Sequence, residues 1–212
     1  MASNKHTQLL RYQDCPSTPW KNGGGSTKQL LISPSNADLS NFDYRISIAS
    51  ISSNGPFSSF IGIDRQLCLL EGEGLKLHIQ GDNLNSGTIL IPNDAPFNFK
   101  GETQIESQLL GDKVLDFNVM TKRGKYRSNI EKISINDTFT YGSSRNTLNT
   151  EQEQNVGMPL QLLLCLEPVI LDQNGHLTEL ERYDLLICPY GKPLNLKSDN
   201  PTKWLSITLS PV

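Results

Sequence analysis

The feature that most constrains this chain is the recurrence of short β-type runs with turn residues between them. In the first part these runs fall at 28–32, 44–51, 66–70, 75–79, 88–91 and 115–120. Many short strands at regular spacing predict an all-β sandwich or barrel. After a polar stretch from about Arg127 the pattern resumes at 130–135, 160–167, 169–171, 177–180, 183–188 and 204–209, which predicts a second small barrel. The expected division is therefore 1–127 and 128–212, with exchange of strands between the halves left open. A chain of 212 residues with 36% hydrophobic content can bury either one large core or two small ones. The stretch 136–157, rich in Asn, Thr, Ser and Gln, reads as a loop-rich crossing with room for a short helix. Two hairpins are expected, at Leu70-Glu71-Gly72-Glu73-Gly74-Leu75 and at Asp172-Gln173-Asn174-Gly175-His176, the second carrying an Asn-Gly pair suited to a tight primed turn.

The run Pro19-Trp20-Lys21-Asn22-Gly23-Gly24-Gly25-Ser26-Thr27 predicts a sharply bent loop, because three consecutive glycines fit neither helix nor ordinary strand. Such a loop can leave backbone amides free to face a ligand and bring Lys21 and Asn22 against a small anion. The competing reading is a glycine-rich turn that only joins two strands. Gly25-Ser26-Thr27-Lys28 reverses the order that a nucleotide phosphate loop needs, and the spacing does not match the dinucleotide motif.

Several classes of function are excluded or weakened. Nineteen basic against 22 acidic residues, with no basic run beyond Lys122-Arg123 and the nearby Lys125 and Arg127, argue against nucleic acid as a partner. No window is apolar enough to cross a bilayer, and the polar 1–10 segment has no secretory character, so the expected location is cytoplasmic. Cys15, Cys68, Cys165 and Cys188 are far apart and sit mostly in leucine-rich runs, where cysteine acts as a small core residue. His6, His78 and His176 form no metal-ligand spacing. In Lys76-Leu77-His78-Ile79-Gln80, alternation puts His78 on the solvent side. No metal and no cofactor is expected. No Gly-x-Ser-x-Gly elbow marks a serine nucleophile.

What remains is polarity on apolar strands. In Asp116-Phe117-Asn118-Val119-Met120, alternation places Asp116, Asn118 and Met120 on one face. That face is either a binding interior or a solvated exterior. Tyr44-Arg45-Ile46-Ser47-Ile48-Ala49 carries the same choice, with Arg45, Ser47 and Ala49 together. Arg65 shares a face with Leu67 and Leu69, and an arginine among leucines needs a partner: Asp64, Glu71 or Asp116 in a structural ion pair, or a ligand carboxylate held bidentately.

Pro19-Trp20-Lys21-Asn22-Gly23-Gly24-Gly25, Arg45-Ile46-Ser47-Ile48-Ala49, Asn54-Gly55-Pro56-Phe57-Ser58, Gly62-Ile63-Asp64-Arg65, Leu69-Leu70-Glu71-Gly72 and Asp116-Phe117-Asn118-Val119-Met120 together resemble the HutD family, which includes the Ves-type proteins. The resemblance covers 16 to about 127 and is diffuse beyond. It implies a bicupin, two RmlC-like jelly-roll barrels of the cupin type in one chain, without an established enzymatic activity. It also implies a link to histidine utilisation, through binding a pathway intermediate such as urocanate or N-formylglutamate. The pocket carried over by position comprises Trp20, Lys21, Asn22, Gly23, Gly24, Gly25, Arg45, Arg65, Asp116 and Asn118, with Trp20, Phe57 or Phe99 as an apolar wall. Asn54 stands where the family often has an aspartate, and Lys122-Arg123 where two arginines are common.

The leading expectation is a metal-independent binding protein that holds a small carboxylate metabolite in the N-terminal barrel and regulates or buffers a pathway. The rival is a metal-free cupin isomerase, epimerase or hydrolase using Asp116 or Glu71 as general base and Lys21 as acid or electrostatic stabiliser. A third reading is an interaction module, a homodimer through barrel faces.

Overall fold

In a computed structural model the described residues are 7–81, 87–136, 138–140, 158–173, 175–188, 193–198 and 200–212. Among them every regular element is a strand. In chain order these are β1 (Gln8–Leu10), β2 (Ser17–Pro19), β3 (Gly25–Ser33), β4 (Tyr44–Ile51), β5 (Gly55–Pro56), β6 (Ile63–Glu71), β7 (Leu75–Ile79), β8 (Thr88–Leu90), β9 (Phe97–Lys100) and β10 (Ile105–Leu109). There follow β11 (Val114–Lys122), β12 (Tyr126–Ile135), β13 (Thr138–Thr140), β14 (Leu160–Cys165), β15 (Val169–Gln173), β16 (His176–Leu180), β17 (Leu185–Cys188), β18 (Pro193–Lys197) and β19 (Thr202–Pro211).

The chain divides into a unit of Cys15–Arg127 and a unit of Met1–Asp14 with Ser128–Val212. The division at 127/128 is the expected one, but the first fourteen residues go with the second unit rather than the first. The reason is pairing: β1 lies antiparallel to β17, with Leu9 opposite Leu186. Arg11 and the Tyr12 amide then close on buried Asp184, at 2.7 and 3.0 Å.

Each unit is two stacked antiparallel sheets. In the Cys15–Arg127 unit a six-stranded sheet, β2-β3-β4-β11-β6-β9, accompanies a four-stranded one, β5-β10-β7-β8. Their apolar core is Ile51, Leu67, Leu69, Leu75, Leu77, Leu90, Ile105 and Val114. Alternation makes this core: on β7 Leu75 and Leu77 are buried, while Lys76 and His78 are half-buried on the other face. The second unit pairs a five-stranded sheet, β1-β17-β14-β19-β12, with a four-stranded one, β13-β18-β15-β16. Trp204, Leu163, Leu186, Leu171 and Leu196 are among its core residues.

Two expectations about turns come out differently. Leu70-Glu71-Gly72-Glu73-Gly74-Leu75 is not a hairpin: β6 pairs with β11 and β9, β7 with β10 and β8, so the segment crosses from one sheet to the other. Its glycines serve that crossing, at φ of 103° and 154°, where Gly72 passes too close to the Lys113 carbonyl and Val114 to admit a side chain. At the second hairpin Gln173 does oppose His176, and Gly175 takes φ 87°; Asn174 lies outside the described residues. Of the predicted loop-rich crossing, 138–140 is the short strand β13, and 137 and 141–157 lie outside the described residues.

Candidate ligand-binding site

The centre of the six-stranded sheet carries polar side chains on the face that looks into its own unit. Register places Asp116 opposite Ala49 and Leu69, Asn118 opposite Ser47 and Leu67, and Met120 opposite Arg45 and Arg65. On the flanks Gln29 opposes Ser47, and Phe99 opposes Arg65. Two irregularities frame this patch. Leu70 is bulged out of β6 beside Asp116, and Leu30 is bulged out of β3 beside Gln29. A bulge re-aims side chains and bends the strand, which is how a barrel wall turns polar groups inward without breaking its ladder.

Arg65, Asp116 and Asn118 are all withdrawn from solvent, at 8%, 3% and 6% exposure. The Arg65 guanidinium lies 4.7 Å from the Phe99 ring centroid, 5.3 Å from Phe57 and 5.8 Å from Phe60. Three aromatic faces hold the cation electrostatically where water cannot. Its Nη1 donates to the Ser58 carbonyl at 3.3 Å, and its Nε, though buried, has no acceptor. Of the three carboxylates that sequence offers as partners, Asp64 belongs to Arg123, at 2.8 Å, and Glu71 is exposed at the end of β6. Asp116 influences Arg65 through space, yet among the described residues no carboxylate lies within 4 Å of that guanidinium.

Asp116 is the most perturbed acid of the site. Burial pushes its carboxyl up to about 7, against the opposing pull of Arg65, the Ala49 backbone and Arg45. Burial likewise lowers Arg65 to about 10, still cationic at neutrality. Arg45, half-buried across Met120, donates from Nε to Gln29 Oε1 at 2.9 Å and from Nη1 to Ser47 Oγ at 3.3 Å. The buried Oδ1 atoms of Asp116 and Asn118 have no donor. Two guanidinium groups thus face one half-ionised carboxyl, leaving the patch with an excess of positive charge and three unsatisfied buried polar atoms. Buried polar groups are ordinarily hydrogen-bonded, so this patch is the exception in the unit's interior that a functional reading has to explain.

The glycine loop plays a different part from the one its sequence suggests. Trp20 N–H donates to the Gly25 carbonyl, Gly23 N–H to the Trp20 carbonyl, and Gly24 N–H to Asn22 Oδ1. Those amides are spent inside the β2–β3 turn rather than turned to a ligand. The glycines are required by geometry: Gly23 has φ 71°, Gly24 passes against Ser53, and Gly25 against the Ser50 carbonyl and the Trp20 ring. Lys21 and Asn22 are exposed at the tip, and Lys21 is not among the charges acting on Asp116. Trp20 packs on the apolar core and donates to Thr27 Oγ1 at 2.8 Å. The structure therefore brings together Arg45, Arg65, Asp116 and Asn118 and leaves Lys21 and Asn22 outside. It adds Phe60 and the Ser58 carbonyl, which follow directly on Phe57 in the sequence and were signalled only by a Phe-x-x-Phe spacing ahead of Arg65.

Among the described residues the second unit has buried polarity of its own, but satisfied. Gln161 donates to Ser206 Oγ at 2.7 Å and accepts from Thr208 at 2.9 Å, and Trp204 donates to Thr202 at 2.8 Å. Cys165 and Cys188 are buried, their thiols pushed up to about 12 by desolvation, as befits core residues rather than nucleophiles.

Paired two-sheet units of this kind, with a polar patch inside one of them, define the chain as a cupin-fold protein of the two-unit type. The family model described as HutD matches residues 12–205, and the chain belongs to that family. An uncharacterized 21.2 kDa protein in the hutC 3' region of Pseudomonas putida is 41% identical over 124 residues, which is 58% of this chain and 63% of that relative's length, less than two thirds. Protein Ves of Citrobacter koseri is 35% identical over 141 residues, 64% of this chain and 69% of that one. The fold is that of HutD from Pseudomonas fluorescens SBW25, solved in a formate condition, with a TM-score of 0.73 at 23% identity over 98% of this chain and 100% of that one. It is also that of the Escherichia coli pirin YhhW in complex with nickel(II), with a TM-score of 0.63 at 9% identity over 98% and 100%.

Metal-bearing relatives of this fold call for a test of the patch as a metal centre, and its donor set does not fit. One carboxyl beside two guanidinium groups repels a divalent cation more than it attracts one. His78 is on β7 and His176 is exposed at the β15–β16 turn; His6 lies outside the described residues. Among the described residues no three His, Cys, Asp or Glu side chains gather as ligands.

Proposed function

We propose that this protein binds a small carboxylate metabolite inside its Cys15–Arg127 unit and serves histidine utilisation as a regulator or buffer rather than as a catalyst. The observation that carries this is the buried patch of Arg45, Arg65, Asp116 and Asn118, cationic on balance and with three unsatisfied polar atoms. A carboxylate accepted by Arg65 satisfies its Nε and neutralises the excess charge, while Phe57, Phe60 and Phe99 offer apolar walls to the rest of a small acid. Family membership and the hut-region relative support the metabolic context. Urocanate and N-formylglutamate are the acids to try first.

The test is thermal unfolding of the purified chain against urocanate, N-formylglutamate, histidine, glutamate and formate, with Arg65→Ala and Arg65→Lys alongside. Selective binding raises the midpoint. One charge-assisted hydrogen bond is worth about 1.5–3 kcal/mol, so Arg65→Ala should weaken the acid roughly 10- to 100-fold. Full affinity retained in both variants would refute the assignment of Arg65.

A second reading is favoured by one observation: an acid poised near neutrality, as Asp116 is, suits a general base. Its proposed helpers are not at hand, since Lys21 and Glu71 are both exposed. Turnover of a bound acid, lost in Asp116→Asn, would promote this reading.

A further inference from the structure

We propose that Asp116 is a proton-carrying recognition group: a small carboxylate enters beside Arg65 together with one proton, which resides on Asp116 and turns that side chain from hydrogen-bond acceptor into donor. This rests on the anion-binding reading above and goes beyond it. The argument is one of matching atoms. On the face that carries Arg65, the unsatisfied atoms besides its Nε are Asp116 Oδ1 and Asn118 Oδ1, both acceptors; Gln66 Oε1 and Thr121 Oγ1, also unsatisfied, alternate to the opposite face. An incoming carboxylate brings only further acceptors. Asn118 can turn its amide, but it cannot change its charge; with an anion at Arg65, an ionised Asp116 would leave two negative groups together in a dry interior. Asp116 alone can resolve both conflicts, by taking up a proton.

Among the described residues no other group competes for that proton: the facing sheet contributes apolar side chains such as Leu75, Leu77 and Ile105 to the same core. From β4 Arg45 faces Asp116 and from β6 Arg65 does, with the Ala49 backbone beside it. β3 contributes Thr27 and Gln29, and β9 contributes Phe97 and Phe99, none of which titrates in this range. Its carboxyl already sits near 7 without a ligand, so uptake of a proton at neutral pH costs little, and a bound anion raises it further. The balance is closed: protein, ligand anion and one proton from solvent form the complex, and no bond other than the O–H is made.

The consequence is a binding constant that depends on pH although the ligand is ionised throughout. Acetate is the probe, titrated into the full chain at pH 6, 7, 8 and 8.5 and followed by the thermal midpoint. For the wild type, affinity should fall about tenfold per pH unit above 8 and flatten below neutrality. For Asp116→Asn it should hold constant across the range, because the amide donates at every pH. A measurement on the unaltered protein stands beside it: mixing with acetate in weakly buffered solution at pH 8 should consume close to one proton per site. Equal wild-type affinity at pH 6 and pH 8.5, no proton consumed, or the same slope in Asp116→Asn would overturn the inference while leaving the anion site intact. No acetate binding at any pH would instead sink the anion-binding reading, and this inference with it.

Discussion

Replacing Asp116 with asparagine should change how stability depends on pH, and the size of the change follows from the site. The carboxyl has an ordinary value of 3.8 and is pushed to about 7 in the fold, because burial penalises its charged form more than Arg65 and Arg45 reward it. A folded-state value above the unfolded one means the native protein holds the proton more tightly. The stability from this group is therefore fully present below pH 3.8 and is lost as pH rises towards and through 7. At pH 5 the unfolded chain has already released that proton and the folded chain has not. Between pH 5 and 7 the loss accumulates at about 1.4 kcal/mol per unit, so on the order of 3 kcal/mol disappears by pH 8. Asp116→Asn keeps the volume and removes the titration. Whatever fixed cost or gain the amide brings applies equally at both pH values and cancels in the comparison. Urea unfolding of both proteins at pH 5 and pH 8 is the assay, and the variant should gain on the order of 3 kcal/mol on the wild type between the two. With a urea slope of about 2 kcal/mol/M this is a relative midpoint shift of more than 1 M. A gap between the proteins that is the same at both pH values would refute the reasoning, and would mean that Asp116 is ionised in the fold at pH 5.

Other perturbations test neighbouring parts of the same structure. Asn118→Leu removes a buried unsatisfied oxygen and should raise ligand-free stability by about 1 kcal/mol while abolishing the midpoint shift given by acids; a variant that is stabilised and still binds would separate Asn118 from the site. Gly25→Ala sets a methyl group against the Ser50 carbonyl and the Trp20 ring, and should cost roughly 2 kcal/mol in chemical denaturation. If that variant has wild-type stability and reduced acid binding, the glycine loop is a ligand element after all.

The strands that carry the centre of the five- and six-stranded sheets were legible in the sequence, because they are continuous apolar-rich runs. Tyr44–Ile51 and Leu75–Ile79 fall where the pattern puts them. Among the strands it missed, Ser17–Pro19 and Gly55–Pro56 offer too few residues for alternation to register, while Ile105–Leu109 and Pro193–Lys197 dilute their apolar positions with polar residues and proline. The crossing at Gly72-Glu73-Gly74 was read as a hairpin because glycine at positive φ serves both uses, and only pairing distinguishes them. Arg65 announced itself, an arginine on a leucine face. The two bulges that aim Asp116 and Gln29 left no local signal, since a bulged Leu70 or Leu30 looks like any other strand leucine. The glycine run left two readings open for a physical reason: a turn whose amides bond one another and a loop whose amides bond a ligand need the same residues.

The contrast between the units argues for where function resides more strongly than either does alone. Both place polar side chains inside a β-sandwich, and both accept the cost of desolvating them. In the Ser128–Val212 stretch that cost is offset within the chain, Gln161 by Ser206 and Thr208, Trp204 by Thr202. In the Cys15–Arg127 unit it is not: a guanidinium, a carboxyl and an amide each keep an unsatisfied atom in the interior. A fold under selection for stability alone sheds such groups, since leucine at Asn118 and Asp116 would pack at no such penalty. Among the described residues that contrast supports the reading proposed above, in which a ligand closes the account at Arg65, and it makes Arg65 the first position to test.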